Sequence, residues 1–222
     1  MVNIARHKHK YLLSLLLLLI VVEPFISNAM LDDILFEGFF ALVLLFGVTS
    51  NTYKLFRLHR LNLLFVLVIP VVCMRWWGLF TEKELVSAVA LLIYVAFLLI
   101  SVLLILSTLM SPDTRITTDT ICGAFAVYLI IGIIWAILFV LLEMWVPGSF
   151  DLPTASQENG LQRLMGFSLA TLTTVGYGNV APATAGADAV ALIEAVVGQI
   201  YIAVIIARLV SIQVMQSTKQ SE

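Results

Sequence analysis

The stretch Thr171-Leu172-Thr173-Thr174-Val175-Gly176-Tyr177-Gly178-Asn179-Val180-Ala181-Pro182 separates two apolar runs in the C-terminal half of the chain. The run before it, residues 161–173, is too short to cross a bilayer, which takes about 20 helical residues. The run after it, residues 184–210, is long enough. Gly176 and Gly178 alternate with bulkier residues, and glycine accepts positive φ at little steric cost. A segment of this kind at membrane depth must be buried in protein or line a cavity. The pattern predicts a short re-entrant helix, an irregular loop and a return to a spanning helix. A GxG alone would indicate only a turn.

Composition supports a membrane setting. Of 222 residues, 61% are hydrophobic and 12% charged, and the mean hydropathy is +1.07. Soluble domains carry about a quarter charged residues, so this much apolar surface calls for lipid as its solvent. A net charge of -2 with no basic cluster beside aromatics gives no sign of a nucleic-acid partner. Cys73 and Cys122 lie in apolar runs without CxxC or Cys/His spacing, and read as small buried apolar residues. His7 and His9 are interleaved with Arg6, Lys8 and Lys10, which favours a solvated basic tail over a metal pair. No covalent cofactor is expected.

Six stretches qualify as spans: residues 11–26, 31–51, 61–80, 85–110, 120–146 and 184–210. The expected fold is an all-α membrane protein in three parts. These are an N-terminal four-helix region (1–110), a cytoplasmic linker (111–119) and a C-terminal unit (120–217) with an outer helix, a short re-entrant helix, the loop and an inner helix. With a cytoplasmic N-terminus, six crossings put nine of the 12 Lys+Arg inside and leave Arg75, Lys83 and Arg163 outside. The positive-inside rule supports that orientation, with a cytoplasmic C-terminus and Trp76, Trp77 and Trp145 near the outer interface. Residues 1–29 also fit a secretory signal, with Leu12 to Val22 as its apolar core and Ser27-Asn28-Ala29 before a cleavage point. Cleavage would leave five spans; a retained helix is the preferred reading.

Thr174 to Gly178 spells TVGYG, and here the chain resembles the potassium-channel superfamily, over roughly residues 118–217. The resemblance implies a homotetramer embedded in lipid, in which four such loops form one selectivity filter. Backbone carbonyls of Thr174, Val175, Gly176 and Tyr177, with the Thr174 hydroxyl, would replace the water of K⁺, the permeant ion. Gly178 completes the filter. Val175 and Tyr177 would point away and hold its diameter. Thr173, Ala170 and Asn179 would be the supporting positions. Two departures stand out: Asn179 replaces the usual Asp, and Ala170 lies where some members carry Glu. The resemblance further implies a multi-pass protein, expected in the plasma membrane, conducting passively without catalysis.

The flanks add weaker expectations. The C-terminus of the short helix would direct partial negative charge towards the pore. Asp151, Glu158 and Asp188 could make an acidic mouth, or an ordinary solvated loop. Gly198 falls 21 residues after Tyr177, where many relatives place a hinge; a close-packing contact is the alternative. Gln199, Ile202 and Ile206 share a helical face that would turn to the cavity, where the isoleucines could form a dewetting gate. Glu194, inside a span, is either protonated or hydrogen-bonded behind the short helix.

Six spans with the loop before the last also resemble voltage-gated channels, yet residues 85–110 contain no Lys, Arg or His. Moving one charge through 100 mV is worth about 2.3 kcal/mol, so steep voltage dependence is not expected. Lys54, Arg57, His59 and Arg60 fit a cytoplasmic loop near anionic lipid, and Pro70 is expected to kink the third span. Some potassium uptake systems resemble channels in using pore-like loops, but they carry four related loops in one chain with degenerate filters, whereas this chain has one intact filter. A less selective cation channel and a non-conducting sensory or regulatory subunit remain alternatives. No clustered side chains show catalytic spacing, so no enzyme is expected.

Overall fold

The computed structural model describes residues 8–22, 84–111, 116–152 and 160–220. In chain order the elements are α1 (Lys8–Val22), α2 (Glu84–Leu109), α3 (Thr118–Trp145), β1 (Phe150–Asp151), α4 (Gly160–Leu172), β2 (Ala181–Pro182) and α5 (Ala185–Gln220). Several expectations lie outside the described residues: the spans at 31–51 and 61–80, Lys54, Arg57, His59, Arg60, Pro70, Cys73, Arg75, Trp76, Trp77, His7, Arg115, Glu158 and most of the suspected signal cleavage region.

Among the described residues, three helices are long and apolar enough to cross a membrane, at Leu85–Leu109, Thr118–Trp145 and Ala185–Met215. α2 contains neither Gly nor Pro, and Ser111-Pro112 follows it in the sequence, where proline removes a donor and ends a helix. α3 begins inside the expected linker, at Thr118 rather than residue 120, because Thr117 and Thr120 form a reciprocal capping box. It stops at Trp145, just before Pro147. α5 runs 36 residues, about 54 Å at 1.5 Å per residue, longer than the hydrocarbon thickness of about 30 Å. α4, at 13 residues, reaches only about 20 Å.

α1 is 15 residues long and packs on α3 through the buried Leu12, Leu16 and Leu19. Its first turn is held by Asp119. One carboxylate oxygen accepts from the backbone N–H of His9 (3.0 Å) and Lys10 (3.2 Å), and the other lies 2.7 Å from His9 Nδ1. Orphan N–H groups and the positive end of the α1 dipole both favour a carboxylate there. His9 is buried, not a solvated tail residue as its sequence context suggested: a side chain on Gly123 would meet its ring at 3.2 Å. Asp119→Ala is therefore expected to destabilise the chain by about 1–2 kcal/mol, the range for a lost N-terminal cap. Thermal unfolding in detergent measures it, and an unchanged midpoint would mean that α1 is not held by this carboxylate.

The fold is not purely α-helical. β1 and β2 form a two-residue antiparallel pair, Phe150 opposite Pro182 and Asp151 opposite Ala181, extended by Ala183 N–H donating to the Ser149 carbonyl at 2.7 Å. Two residues per strand leave no alternation to detect in a sequence. The pair joins the segment after α3 to the chain leaving the loop. Beneath it Phe139, Phe150 and Phe167 pack with ring centroids 5.2–5.6 Å apart, so one aromatic cluster clamps α3, β1 and α4. Glu143 completes the clamp, accepting from Gly148 N–H (2.7 Å) and Phe150 N–H (3.0 Å). Cys122 is half-buried rather than buried.

Candidate functional site

The loop following α4 has three positive φ angles at alternate positions: Thr174 at 60°, Gly176 at 58° and Gly178 at 75°. The two glycines were expected there; Thr174 was not. A β-branched residue in the left-handed region is an outlier, and such strain costs on the order of 1–3 kcal/mol. Nothing local in the sequence signals it, because threonine on its own prefers extended backbone.

The loop hangs from the last turn of α4 by main-chain bonds. The Ala170 carbonyl accepts from Val175 N–H (2.8 Å) and Gly176 N–H (3.2 Å), and the Thr171 carbonyl accepts from Thr174 N–H (3.0 Å). Thr173 Oγ1 donates back to the Leu169 carbonyl at 2.6 Å. Ala170 thus contributes through its backbone, needing no carboxylate side chain. Thr173 to Asn179 are all exposed in the single chain. Val175 is 54% exposed and Tyr177 80%, so among the described residues nothing covers these side chains.

α4 is held from behind by two neighbours. Tyr128 on α3 donates to the Leu172 carbonyl at 2.7 Å, and its ring stacks on Tyr201 of α5 at 5.6 Å. Tyr201 in turn donates to the Ala124 carbonyl at 2.7 Å. Neither tyrosine was singled out from the sequence, although a tyrosine in an apolar span must find a partner for its hydroxyl. On the α5 side, Gly198 lies against the same terminus of α4. A Cβ there would stand 2.7 Å from the Leu172 carbonyl oxygen and 2.9 Å from its side chain. Gly198 is thus in close contact with the end of α4.

Glu194, one turn earlier on α5, is fully buried and bonded to Ser168 on α4. Gln199 is exposed. Ile202 and Ile206, with Ile121, Phe125, Tyr128 and Leu209, border an apolar crevice of about 220 Å³ between α3 and α5. In the C-terminal half of α5, Arg208 donates to the Met110 and Ser111 carbonyls (3.1 and 2.9 Å) at the end of α2. Those carbonyls have no intrahelical partner. The C-terminal half of α5 and the end of α2 are therefore joined at Arg208.

Around the loop mouth, Asp151 and Asp188 are both exposed. Thr184 caps α5, its hydroxyl accepting from Ala187 N–H at 3.3 Å. Trp145 is 67% exposed at the same end of α3. Among the described residues no His/Cys/Asp/Glu group is placed to hold a metal ion.

No curated protein and no solved structure matches this chain. Residues 125–214 match the model of a family described as an ion channel, a stretch that takes in most of α3, all of α4, the loop, and α5 to Val214. With three helices apolar and long enough to cross a membrane, the C-terminal part of this chain is similar to ion channels and supports an ion-conducting membrane protein.

Proposed function

We propose that the chain is one subunit of a potassium-selective channel in which four copies bring their loops to a common axis. The observation that carries this is the alternation of backbone hand at Thr174, Gly176 and Gly178. In an extended strand successive carbonyls point to opposite sides. Alternating left- and right-handed residues turns them to the same side, which is what an ion stripped of water needs along its path. Thr174, Val175, Gly176 and Tyr177 would supply the carbonyls, with K⁺ as the permeant ion and no resident cofactor.

Two further features support the assembly. Only 22% of the most apolar window of α5 is buried within one chain, and the exposed Val175 and Tyr177 side chains need neighbours to pack against. Lipid can cover the outer face of α5, but a polar backbone loop needs protein or water. The C-terminus of α4 directs its partial negative charge towards the loop. α1 is tied to the start of α3 at Asp119, and α5 to the end of α2 at Arg208, in keeping with a retained first helix and a cytoplasmic side there. The absence of basic residues in α2 argues against steep voltage gating.

Purified protein in planar bilayers under opposed potassium and sodium gradients should reverse close to the potassium equilibrium potential. Equal permeability would indicate a less selective cation channel, and no current in any condition would favour a non-conducting subunit. Voltage steps should produce no charge-moving transients; their appearance would contradict the reading of α2.

A further inference from the structure

The channel reading leaves one buried acid without a role. Glu194 is 0% exposed in the N-terminal third of α5, and its Oε1 lies 2.5 Å from Ser168 Oγ on α4. Ser168 Oγ also lies 2.7 Å from the Gly132 carbonyl oxygen on α3. A serine hydroxyl has one proton to donate and lone pairs to accept with. The carbonyl can only accept, so the contact with Gly132 takes that proton. The contact with Glu194 then needs a hydrogen from the glutamate, and an ionised carboxylate has none.

The surroundings agree with this count. Among the described residues Glu194 Oε2 meets no hydrogen-bond partner, a modest cost for the carbonyl oxygen of an acid but a severe one for half of an unpaired buried anion. Among the described residues, no basic side chain forms an ion pair with it. Ser168 is one helical turn before the end of α4, so whatever fixes it also fixes the point from which the loop departs.

We infer that Glu194 is held as a neutral carboxylic acid that donates to Ser168, which donates in turn to Gly132. The chain of two hydrogen bonds ties α5, α4 and α3 together behind the loop. Glu194 is a positioning residue: it touches no ion. Its bearing on conduction rests on the channel reading, whereas its protonation and its tie between helices do not.

The test uses the full chain, in detergent and in reconstituted bilayers. Infrared spectra at neutral pH should contain the carbonyl-stretch band of a protonated carboxylic acid, removed by Glu194→Gln and shifted by Ser168→Ala. Glutamine keeps a donor for Ser168, so Glu194→Gln should preserve the thermal midpoint and the potassium-to-sodium permeability ratio. Glu194→Leu, of similar size but without a donor, should lower the midpoint by several degrees. Identical infrared spectra for wild type and Glu194→Gln would overturn the inference, as would equal midpoints for Gln and Leu. The expected band in a protein that passes no current would uphold the inference and count against the channel reading alone.

Discussion

Replacing Gly198 by alanine is expected to destabilise the protein, against what helix propensity alone would give. In an exposed helix interior, alanine is better than glycine by about 1 kcal/mol. Here the added methyl would stand 2.7 Å from the Leu172 carbonyl oxygen and 2.9 Å from Leu172 Cδ1. The side chain could turn away, but the carbonyl cannot. It ends α4 and already accepts from Tyr128. Inserting a methyl into packing of this kind costs about 1–3 kcal/mol, so the overlap outweighs the propensity gain. The thermal midpoint should fall, and the loop that starts at Thr173 should be displaced along with α4. A hinge glycine would give the opposite sign: alanine would stiffen the bend, raise or preserve the midpoint and alter opening alone. Comparing midpoints with open probabilities for Gly198→Ala therefore separates the two roles.

Gly176→Asp is expected to abolish discrimination between potassium and sodium. Among the described residues nothing lies within 4 Å of a Cβ built at Gly176, so local crowding is not the cause. The backbone is: φ is 58° there, and an L-residue in the left-handed region costs roughly 1–2 kcal/mol. In a four-fold assembly that cost recurs in every subunit. The loop already carries a strained Thr174, so further strain should be relieved by turning carbonyls away from the axis. A tenfold loss of selectivity corresponds to only about 1.4 kcal/mol, well within what the strain supplies. The added carboxylates would also place fixed charge where neutral carbonyls are needed. Reversal potentials read the result directly; a permeability ratio equal to wild type would mean that residues 174–178 do not form the filter.

The two predictions concern the loop and the helix packed against its root, and they show different degrees of legibility. The positions of α2, α3 and α5 were readable because hydropathy over twenty or more residues is a local property, needing no knowledge of what packs where. The short helix was readable for the same reason: its length, together with the glycines and proline after it, excluded a crossing. Gly176 and Gly178 announced their positive φ through their identity. The N-terminal cap at Thr117 shifted a boundary by two residues, as side-chain bonds at helix ends commonly do.

What only the tertiary structure decided involves partners distant in sequence. Asp119 and the start of α1 are 109 and 110 residues apart, Tyr128 and Leu172 are 44 apart, and Ser168 and Glu194 are 26 apart. No periodicity encodes such pairs. Packing selects them, because each buried donor or acceptor must find whichever group the fold brings close. Thr174 belongs with them: its left-handed backbone opposes its own preference and is sustained by the bonds to Ala170 and Thr171. The amino-acid order by itself thus determined which segments prefer lipid and where the chain can bend. The folded chain alone decided how the bend is held, since that depends on contacts between elements and not on any one of them.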